Sequence, residues 1–303
     1  MRILITPRSL TSQPPPALSR LRDAGYEVVC STAGKIPDEA ELIRLLPGCV
    51  GWLAGVEPVS PRAISAADAL RVISRNGSGV DNLPLTLLAE RGVRVARADG
   101  ANSVGVAELA VAMITSAVRH LQEESAGIHA GGWPRLRGRE VNGSVAAVIG
   151  MGAIGNRVAR VLQTMGATIV AHDPFEPTAA FPVTYLPLAD ALAQASIVTL
   201  HCPAFGSRPL IGAAELASMP RGSVLVNTAR AVLVDEAAII AALESGQLAT
   251  YATDVFTEEP PRDRSLAEHP GVIATSHIGG LTEESVTRAT DIAIDNLLLA
   301  LAS

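Results

Sequence analysis

Short apolar runs alternate with helix-like segments along almost the whole chain, and this alternation restricts the possible folds more than any other feature. Strands that return through helices to parallel neighbours produce such a pattern, whereas all-helical and all-β folds do not. Glycines and the Pro47-Gly48 pair separate the segments. The sequence therefore predicts an α/β fold built on parallel sheets.

The predicted strands form two series, which fit two doubly wound domains. The first series comprises residues 2–6, 27–30, 51–54, 71–74 and 94–97, and the second comprises 145–149, 168–173, 197–201, 223–227, 249–254 and 272–275. One amphipathic helix over 102–122 and an Arg- and Gly-rich stretch, 127–143, separate them, and a helix over 283–301 follows. A chain of 303 residues is long enough for two domains of about 150 residues each.

Composition excludes several classes of protein. With 48% apolar and 18% charged residues the chain is not generally disordered. Its net charge of −6 and scattered arginines argue against a nucleic-acid surface, and the single lysine, Lys35, argues against Schiff-base and P-loop chemistry. Three cysteines without a CxxC pair predict neither a disulfide framework nor a metal site. We expect no signal peptide, no membrane span and a cytoplasmic location.

A glycine-rich motif follows the strand predicted at 145–149. Gly150, Gly152 and Gly155 form a GxGxxG pattern that opens a helix. The first glycine permits a tight turn, the second lets the backbone approach a pyrophosphate, and the third lets the helix pack against the sheet. This arrangement predicts a dinucleotide site.

The residue that ends the next strand indicates which dinucleotide binds. Asp173 lies 18 residues after Gly155, where its carboxylate can accept hydrogen bonds from both ribose hydroxyls and repel a 2′-phosphate. Neither Pro174 nor Phe175 offers a cation for that phosphate. The sequence therefore predicts NAD rather than NADP.

Three later strand ends carry polar residues that suit catalysis, at 226–230, 254–260 and 276–280. Together with other motifs they make the chain resemble the D-isomer-specific 2-hydroxyacid dehydrogenases over essentially its whole length. The matching motifs are 76–82 (NGSGVDN), 102–112, the glycine pattern, 227–230, 254–260 and 277–280. Within that family the chain is most similar to the phosphoglycerate and hydroxypyruvate dehydrogenase branch.

The resemblance implies a domain organisation. A Rossmann nucleotide-binding domain, 99–277, would be inserted into a flavodoxin-like substrate domain made of 1–98 and 278–303. The resemblance also implies a homodimer.

The resemblance further implies a role for each matching position. His277 would be the acid/base, Glu259 its carboxylate partner, and Arg230 the group that binds the substrate carboxylate and polarises its carbonyl. The implied cofactor-binding residues are Gly150, Gly152, Ala153, Ile154, Gly155, Asp173, Cys202, Pro203, Thr228, Ala229, Arg230, Asp254, His277, Gly279 and Gly280. The implied substrate-binding residues are Arg75, Asn76, Gly77, Ser78, Gly79, Arg230 and His277.

These residue types suit the reduction of a 2-keto acid. Negative charge grows on the carbonyl oxygen as the hydride arrives, so that oxygen needs a proton donor and a nearby cation. Histidine can supply the proton near neutral pH, and the planar guanidinium of arginine can bind a carboxylate through two hydrogen bonds. Reduction requires the histidine protonated and oxidation requires it neutral, so the two directions should prefer opposite pH.

The substrate is left open by the sequence. Arg75 could bind a second anionic group, but the loop 55–58 lacks the arginine that many phosphoglycerate enzymes carry there. The chain also departs from the family pattern at Ala153, Ala231 and Ser276, which removes no reacting group. Two alternatives remain: a formate- or phosphite-type dehydrogenase on the same scaffold, and a non-catalytic NAD(H)-sensing protein similar to the corepressors of this fold.

Overall fold

Each of two parallel sheets lies within its own unit in the computed structural model, which describes residues 1–204 and 208–302. The first unit combines Met1–Asn102 with the segment that begins at Thr282, and the second is Ser103–Leu281. These bounds lie a few residues further along the chain than the predicted ones.

The first unit is a five-stranded sheet with helices on both sides. Its strands are β1 (Arg2–Ile5), β2 (Glu27–Cys30), β3 (Cys49–Ala54), β4 (Val72–Arg75) and β5 (Arg94–Arg97). Its helices are α1 (Arg8–Ser12), α2 (Ser19–Asp23), α3 (Glu39–Leu45), α4 (Pro61–Ala66), α5 (Leu85–Glu90) and α12 (Glu283–Ala302), with a short 3-10 helix at Pro16–Leu18. The strand order β2-β1-β3-β4-β5 is that of the flavodoxin-like fold.

Apolar side chains cover both faces of this sheet. Trp52 and Ile73 are buried on one face with residues of α3 and α4. On the other face Ile3 and Val72 are buried together with Leu297 of α12. Parallel sheets are stable when both faces are covered, and α12 covers one face of this sheet. The helix α12 is therefore part of the core of this unit.

The second unit is a seven-stranded parallel sheet. Its strands are β6 (Val145–Ile149), β7 (Thr168–His172), β8 (Thr184–Tyr185), β9 (Ile197–Leu200), β10 (Ser223–Asn227), β11 (Leu248–Thr253) and β12 (Val272–Ala274). Its helices are α6 (Ser103–Arg119), α7 (Leu121–His129), α8 (Ala153–Thr164), α9 (Leu188–Gln194), α10 (Ala213–Ser218) and α11 (Glu236–Glu244), with a 3-10 helix at Ala231–Leu233. The order β12-β11-β10-β9-β6-β7-β8 contains the arrangement of a Rossmann dinucleotide-binding sheet.

The single helix predicted over 102–122 is wrong. α6 ends at Arg119, and α7 starts at Leu121 after a bend of 67°. His120 adopts the left-handed conformation, with φ 54° and ψ 35°, which an α-helix cannot continue through. The carbonyl of Val118 instead accepts a hydrogen bond from the Arg139 amide at 2.7 Å, so the Arg-rich stretch terminates the helix.

The predicted strands are present with ends that differ by one or two residues. The sequence did not predict β8, which has two residues and follows Asp173 along the edge of the second sheet. Over the described residues no single helix has the length and apolarity to cross a membrane, although the bent pair α6–α7 meets those two criteria together.

Candidate active site

The glycine motif forms a tight cradle between β6 and α8. Gly150 has φ 92°, and a Cβ there would lie 2.7 Å from the Cys202 amide nitrogen. A Cβ on Gly155 would lie 1.9 Å from the Gly150 carbonyl oxygen. Gly152 precedes the first residue of α8, and no atom of residues 1–204 and 208–302 lies within 4 Å of where its Cβ would be. The first and third glycines are therefore required by the protein's own packing, and the second leaves room for another molecule.

Asp173 follows β7 beside this cradle. Its Oδ2 accepts a hydrogen bond from the Met151 amide at 2.8 Å, and its Oδ1 accepts one from the Phe175 amide at 2.9 Å. The carboxylate is thus held at the start of the glycine turn, and its remaining lone pairs are available for a ribose.

The remaining residues predicted near the cradle differ in exposure. Ala153 is exposed and Ile154 half-buried in the first turn of α8, and Pro203 is exposed after β9. Cys202 lies against Gly150, and burial raises the pKa of its thiol. The raised pKa disfavours the thiolate form at this position.

His277 and Glu259 form a close pair. The Nδ1 atom of His277 lies 2.8 Å from Glu259 Oε2 and 3.0 Å from Oε1, and both side chains are about half exposed. The Phe256 amide donates a hydrogen bond to Glu259 Oε1 at 3.1 Å. Since Nδ1 is engaged by the carboxylate, the Nε2 atom of His277 is left to face a reactant.

Asp254 organises the loop that carries His277. Its carboxylate is 2% exposed and accepts three hydrogen bonds. The donors are the Thr275 hydroxyl at 2.6 Å, the Ile278 amide at 2.8 Å and the Gly279 amide at 2.8 Å. Gly279 is buried against this carboxylate, because its Cβ would lie 3.0 Å from Asp254 Oδ2. Gly280, next along the chain, is half-buried.

Arg230 lies on a turn that Asn227 holds. Asn227 Oδ1 accepts a hydrogen bond from the Ala229 amide at 3.1 Å, and its Nδ2 donates to the Arg230 carbonyl at 2.8 Å. Arg230 is half-buried and donates from Nη1 to the Ala229 carbonyl at 2.8 Å. The Thr228 hydroxyl is buried without a hydrogen-bond partner among residues 1–204 and 208–302.

The sheet topology places these residues at one edge. Arg230 follows β10, Asp254 and Glu259 follow β11, and His277 follows β12, and these three strands are adjacent. The carboxyl ends of adjacent parallel strands meet on the same side of a sheet, where ligands of this fold bind. The structure therefore places the three residues predicted to be catalytic at the same edge of the sheet, with His277 and Glu259 in direct contact.

The predicted substrate loop, Arg75 to Gly79, belongs to the first unit. Arg75 is buried at the end of β4, and Asn76 to Gly79 are half-buried after it. The Asn76 amide donates to the Ala54 carbonyl at 2.9 Å, and the Ala98 amide donates to the Gly77 carbonyl at 3.0 Å. Gly77 has φ 153°, so the turn depends on a residue without a side chain.

Comparison with known proteins identifies this arrangement. Residues 111–279, more than half of the chain, match the NAD binding domain of the D-isomer specific 2-hydroxyacid dehydrogenases. This chain belongs to that family. NAD is accordingly the cofactor of the second unit.

Individual dehydrogenases and reductases are similar to the chain over most of its length. It is 37% identical to D-3-phosphoglycerate dehydrogenase of Rattus norvegicus over 275 residues, which cover 88% of this chain and 51% of the rat protein. It is 33% identical to hydroxypyruvate reductase of Thermotoga maritima over 258 residues, which cover 83% of this chain and 84% of the reductase. The chain thus spans about half the length of the phosphoglycerate dehydrogenase.

A solved structure matches both units of this family member. The TT0316 protein of Thermus thermophilus superposes with a TM-score of 0.90 at 32% identity, covering 100% of this chain and 97% of that protein. This agreement confirms the predicted fold class, a Rossmann sheet accompanied by a flavodoxin-like one.

The second unit of this dehydrogenase-family chain fits NAD. Gly152 has no side chain that would block the approach of a pyrophosphate. The N-terminus of α8, which follows it, favours negative charge. The buried, unpartnered Thr228 hydroxyl is a polar group that a nucleotide could satisfy. No metal-binding group of three or more His, Cys, Asp or Glu side chains occurs in the described part of the chain.

The residues that hold this site in place were not identified from the sequence. The sequence predicts no individual role for Asn227 or Thr275, and it predicts Asp254 only as a cofactor-binding residue. An Asn at the end of a buried strand followed by a turn is a recognisable signal, because Asn side chains cap such turns. The contacts of Thr275 depend on the tertiary fold and have no comparable signal.

Proposed function

We propose that this chain is an NAD-dependent oxidoreductase that interconverts a small 2-hydroxy acid and its 2-keto acid. The pairing of His277 with Glu259, on a strand end adjacent to the one that carries Arg230, is the observation that supports this most strongly. A histidine, a carboxylate and an arginine at the carboxyl edge of a nucleotide-binding sheet provide the proton and the cation that this reaction needs.

NAD, when bound, supplies or accepts the hydride. His277 donates a proton from Nε2 to the carbonyl oxygen during reduction and removes one from the hydroxyl during oxidation. Glu259 fixes the orientation of the ring through its contact with Nδ1. Arg230 binds the substrate carboxylate and polarises the adjacent carbonyl. We further propose Arg75 and the backbone from Asn76 to Gly79 as the substrate-binding residues of the first unit.

The proposed substrate is a small 2-keto or 2-hydroxy acid that can carry a second anionic group. The names of two relatives, a phosphoglycerate dehydrogenase and a hydroxypyruvate reductase, support this class. Arg75, positioned at the end of β4, is the candidate for the second anionic group.

Consumption of NADH at 340 nm tests the proposal. The purified protein is offered glyoxylate, hydroxypyruvate, phosphohydroxypyruvate, oxaloacetate, sulfopyruvate and phosphonopyruvate one at a time. We expect turnover of at least one compound. His277→Asn should reduce that turnover by roughly 10²- to 10⁴-fold, because it removes the proton donor.

His129→Asn is a matched control, because His129 is an exposed histidine at the end of α7 in the same unit. It should leave both turnover and NADH binding unchanged. Tight NADH binding without turnover of any compound would reject the proposed reaction and favour an NAD(H)-sensing protein.

We also propose a homodimer formed through the second unit. Leu121, Ile128, Trp133 and Leu136 are all exposed, and Trp133 is 77% exposed. These exposed apolar side chains lie close together in sequence, on α7 and the stretch after it, and exposed apolar side chains are typical of interaction sites where they form a common surface. Light scattering of the wild type should give twice the mass of one chain, and Trp133→Glu should shift the protein toward the monomer.

A further inference from the structure

The loop after β3 in the first unit contains a buried acid that the proposed mechanism does not use. Glu57 is 1% exposed, although charged side chains are almost never fully buried unless they are paired or hydrogen-bonded. It lies in the loop 55–58, whose sequence contains no basic residue. Hydrogen-bond donors must therefore stabilise this buried carboxylate.

The Glu57 carboxylate ends a chain of buried hydrogen bonds. The Trp52 indole nitrogen donates to the Thr6 hydroxyl at 2.8 Å, and that hydroxyl donates in turn to Glu57 Oε1. The Gly55 amide donates to the same oxygen at 2.9 Å. Trp52 belongs to β3 and Thr6 directly follows β1, and both are buried, so the carboxylate is fixed to the core of the sheet.

The peptide group between Ala54 and Gly55 joins this carboxylate to Arg75. Its N–H donates to Glu57, while its carbonyl oxygen accepts from Arg75 Nη1 at 3.4 Å and from the Asn76 amide at 2.9 Å. One peptide therefore has an anion at its N–H and a cation at its C=O. Both charges stabilise the same orientation of the peptide dipole.

Asn82 connects the same loop to the other end of the predicted substrate loop. Its Nδ2 donates to the Glu57 carbonyl at 2.7 Å and to the Gly55 carbonyl at 3.3 Å. Its own carbonyl accepts from the Val59 amide at 3.2 Å. Residues 76 and 82, which bound the loop, are thus both attached to the segment that Glu57 holds.

We propose that Glu57 is a positioning residue for substrate binding, which acts through the Ala54–Gly55 peptide on Arg75 and through Asn82 on the loop 76–82. This inference rests on the proposed function, because that function assigns Arg75 and the loop to the substrate. Glu57 itself does not contact the reactants. Its loss would change the affinity for the 2-keto acid rather than the affinity for NADH.

Gly55 supports this role because its missing side chain makes room for the acid. A Cβ on Gly55 would lie 2.6 Å from Glu57 Oε2 and 3.0 Å from the Pro7 Cα atom. A larger residue at position 55 would displace the Glu57 carboxylate, so the two positions depend on each other. Gly55→Ala should therefore reproduce part of the effect of removing Glu57.

Kinetics of Glu57 variants test the proposal. Glu57→Ala removes the acceptor, and we expect KM for the 2-keto acid to rise about tenfold or more, while Kd for NADH changes less than about twofold. Glu57→Gln keeps one acceptor oxygen for Gly55 and Thr6 and should give an intermediate KM. A fall in thermal stability with KM unchanged in both variants would make Glu57 merely structural and overturn the proposal.

A double-mutant cycle with Arg75 identifies the route of the effect. If Glu57 acts through Arg75, Glu57→Gln should raise KM much less in an Arg75→Gln background than in the wild type. If Glu57→Gln raises KM by the same factor in the Arg75→Gln background as in the wild type, this route is contradicted. Glu41→Gln is the matched control: Glu41 accepts hydrogen bonds from the Thr32 amide and hydroxyl on another loop of the same unit, and its loss should not change KM.

Hydrogen exchange separates failure of this inference from failure of the proposed function. In Glu57→Ala the amides of 76–82 should exchange faster than in the wild type, and in Glu41→Gln they should not. If the wild type reduces no 2-keto acid but the exchange responds, the proposed reaction fails and only the structural coupling of Glu57 to the loop 76–82 remains. If the wild type is active and neither KM nor exchange responds to Glu57→Ala, the positioning role fails.

Discussion

His277 has a backbone conformation that its residue type rarely adopts. Its φ of 56° lies in the left-handed region, which costs a non-glycine residue on the order of 1–3 kcal/mol. Asp254 offsets this cost, because its carboxylate binds the two amides that follow His277 and the hydroxyl of Thr275. Hydrogen bonds to a charged group contribute about 1.5–3 kcal/mol each. The three hydrogen bonds of Asp254 therefore stabilise the strained loop.

Asp254→Asn should loosen this loop. An amide group can accept through one oxygen only, so at least one of the three donors would lose its partner. We expect turnover to fall by about tenfold or more and the amides of 278 and 279 to exchange faster, as hydrogen exchange and steady-state kinetics can measure. Thr275→Val removes only the hydroxyl donor and should have a smaller effect. Unchanged turnover in Asp254→Asn would refute the role given to this carboxylate.

His201 makes stability depend on pH. Its Nε2 lies 2.9 Å from the Thr199 hydroxyl, and burial lowers its pKa from 6.5 to about 3. Below pH 6.5 the unfolded chain binds a proton here while the folded protein does not, so acid favours unfolding. Between those two pKa values, each unit by which the pH falls lowers the free energy of unfolding by at most about 1.4 kcal/mol.

His201→Gln should remove this part of the pH dependence. Denaturant titrations at pH 7 and pH 5 measure the change in unfolding free energy, which should be smaller in the variant than in the wild type. His269→Gln replaces a histidine after β11 and serves for comparison. Equal pH dependence in the wild type and His201→Gln would show that His201 titrates normally.

At the level of helices and strands, local patterns predicted what depends on local chemistry. The alternation of segments located the strands, and the glycine motif located the turn into α8, because Gly150 and Gly155 are required there by the backbone itself. The break between α6 and α7 was not predictable, since it depends on Arg139, which is distant in sequence from Val118. In the same way, the motifs identified His277 as a candidate, whereas the contacts that hold it exist only in the folded chain.

The first turn of α8 provides a test that separates packing from nucleotide binding. Gly155→Ala places a methyl group 1.9 Å from the Gly150 carbonyl oxygen, so α8 must move and both stability and NADH affinity should fall. The methyl group of Gly152→Ala meets no atom of residues 1–204 and 208–302 within 4 Å, so stability should be unchanged.

The Gly152→Ala methyl group would nevertheless occupy the space that a pyrophosphate approaches, so Kd for NADH should rise by about tenfold or more. Fluorescence titration with NADH and thermal melts measure the two quantities. Undiminished NADH binding by Gly152→Ala would argue against a pyrophosphate at this turn.

For the whole molecule, the division into two units predicts separate responses to mutation and to cofactor. Leu297 of α12 is fully buried in the core of the first unit, so Leu297→Ala should destabilise that unit by about 2–5 kcal/mol. Leu299 on the same helix is 73% exposed, and Leu299→Ala should have little effect.

Calorimetry with and without NADH measures both responses. NADH is bound by residues of the second unit, so it should raise the unfolding temperature of that unit by mass action. Leu297→Ala should lower the unfolding temperature of the first unit, which NADH does not raise. A variant whose NADH-dependent transition falls instead would contradict the assignment of α12 to the first unit.

The late position of α12 has a consequence for biosynthesis. A ribosome completes β1 to β5 before residues 103–281, and only then makes the helix that covers Ile3 and Val72. At a rate of synthesis of about 5–20 residues per second, the apolar face of the first sheet stays uncovered by α12 for roughly ten to forty seconds. The nucleotide-binding unit is finished first, and the unit that contains the first residue of the chain is finished last. A chaperone that shields the nascent amino-terminal segment should therefore raise the yield of active protein.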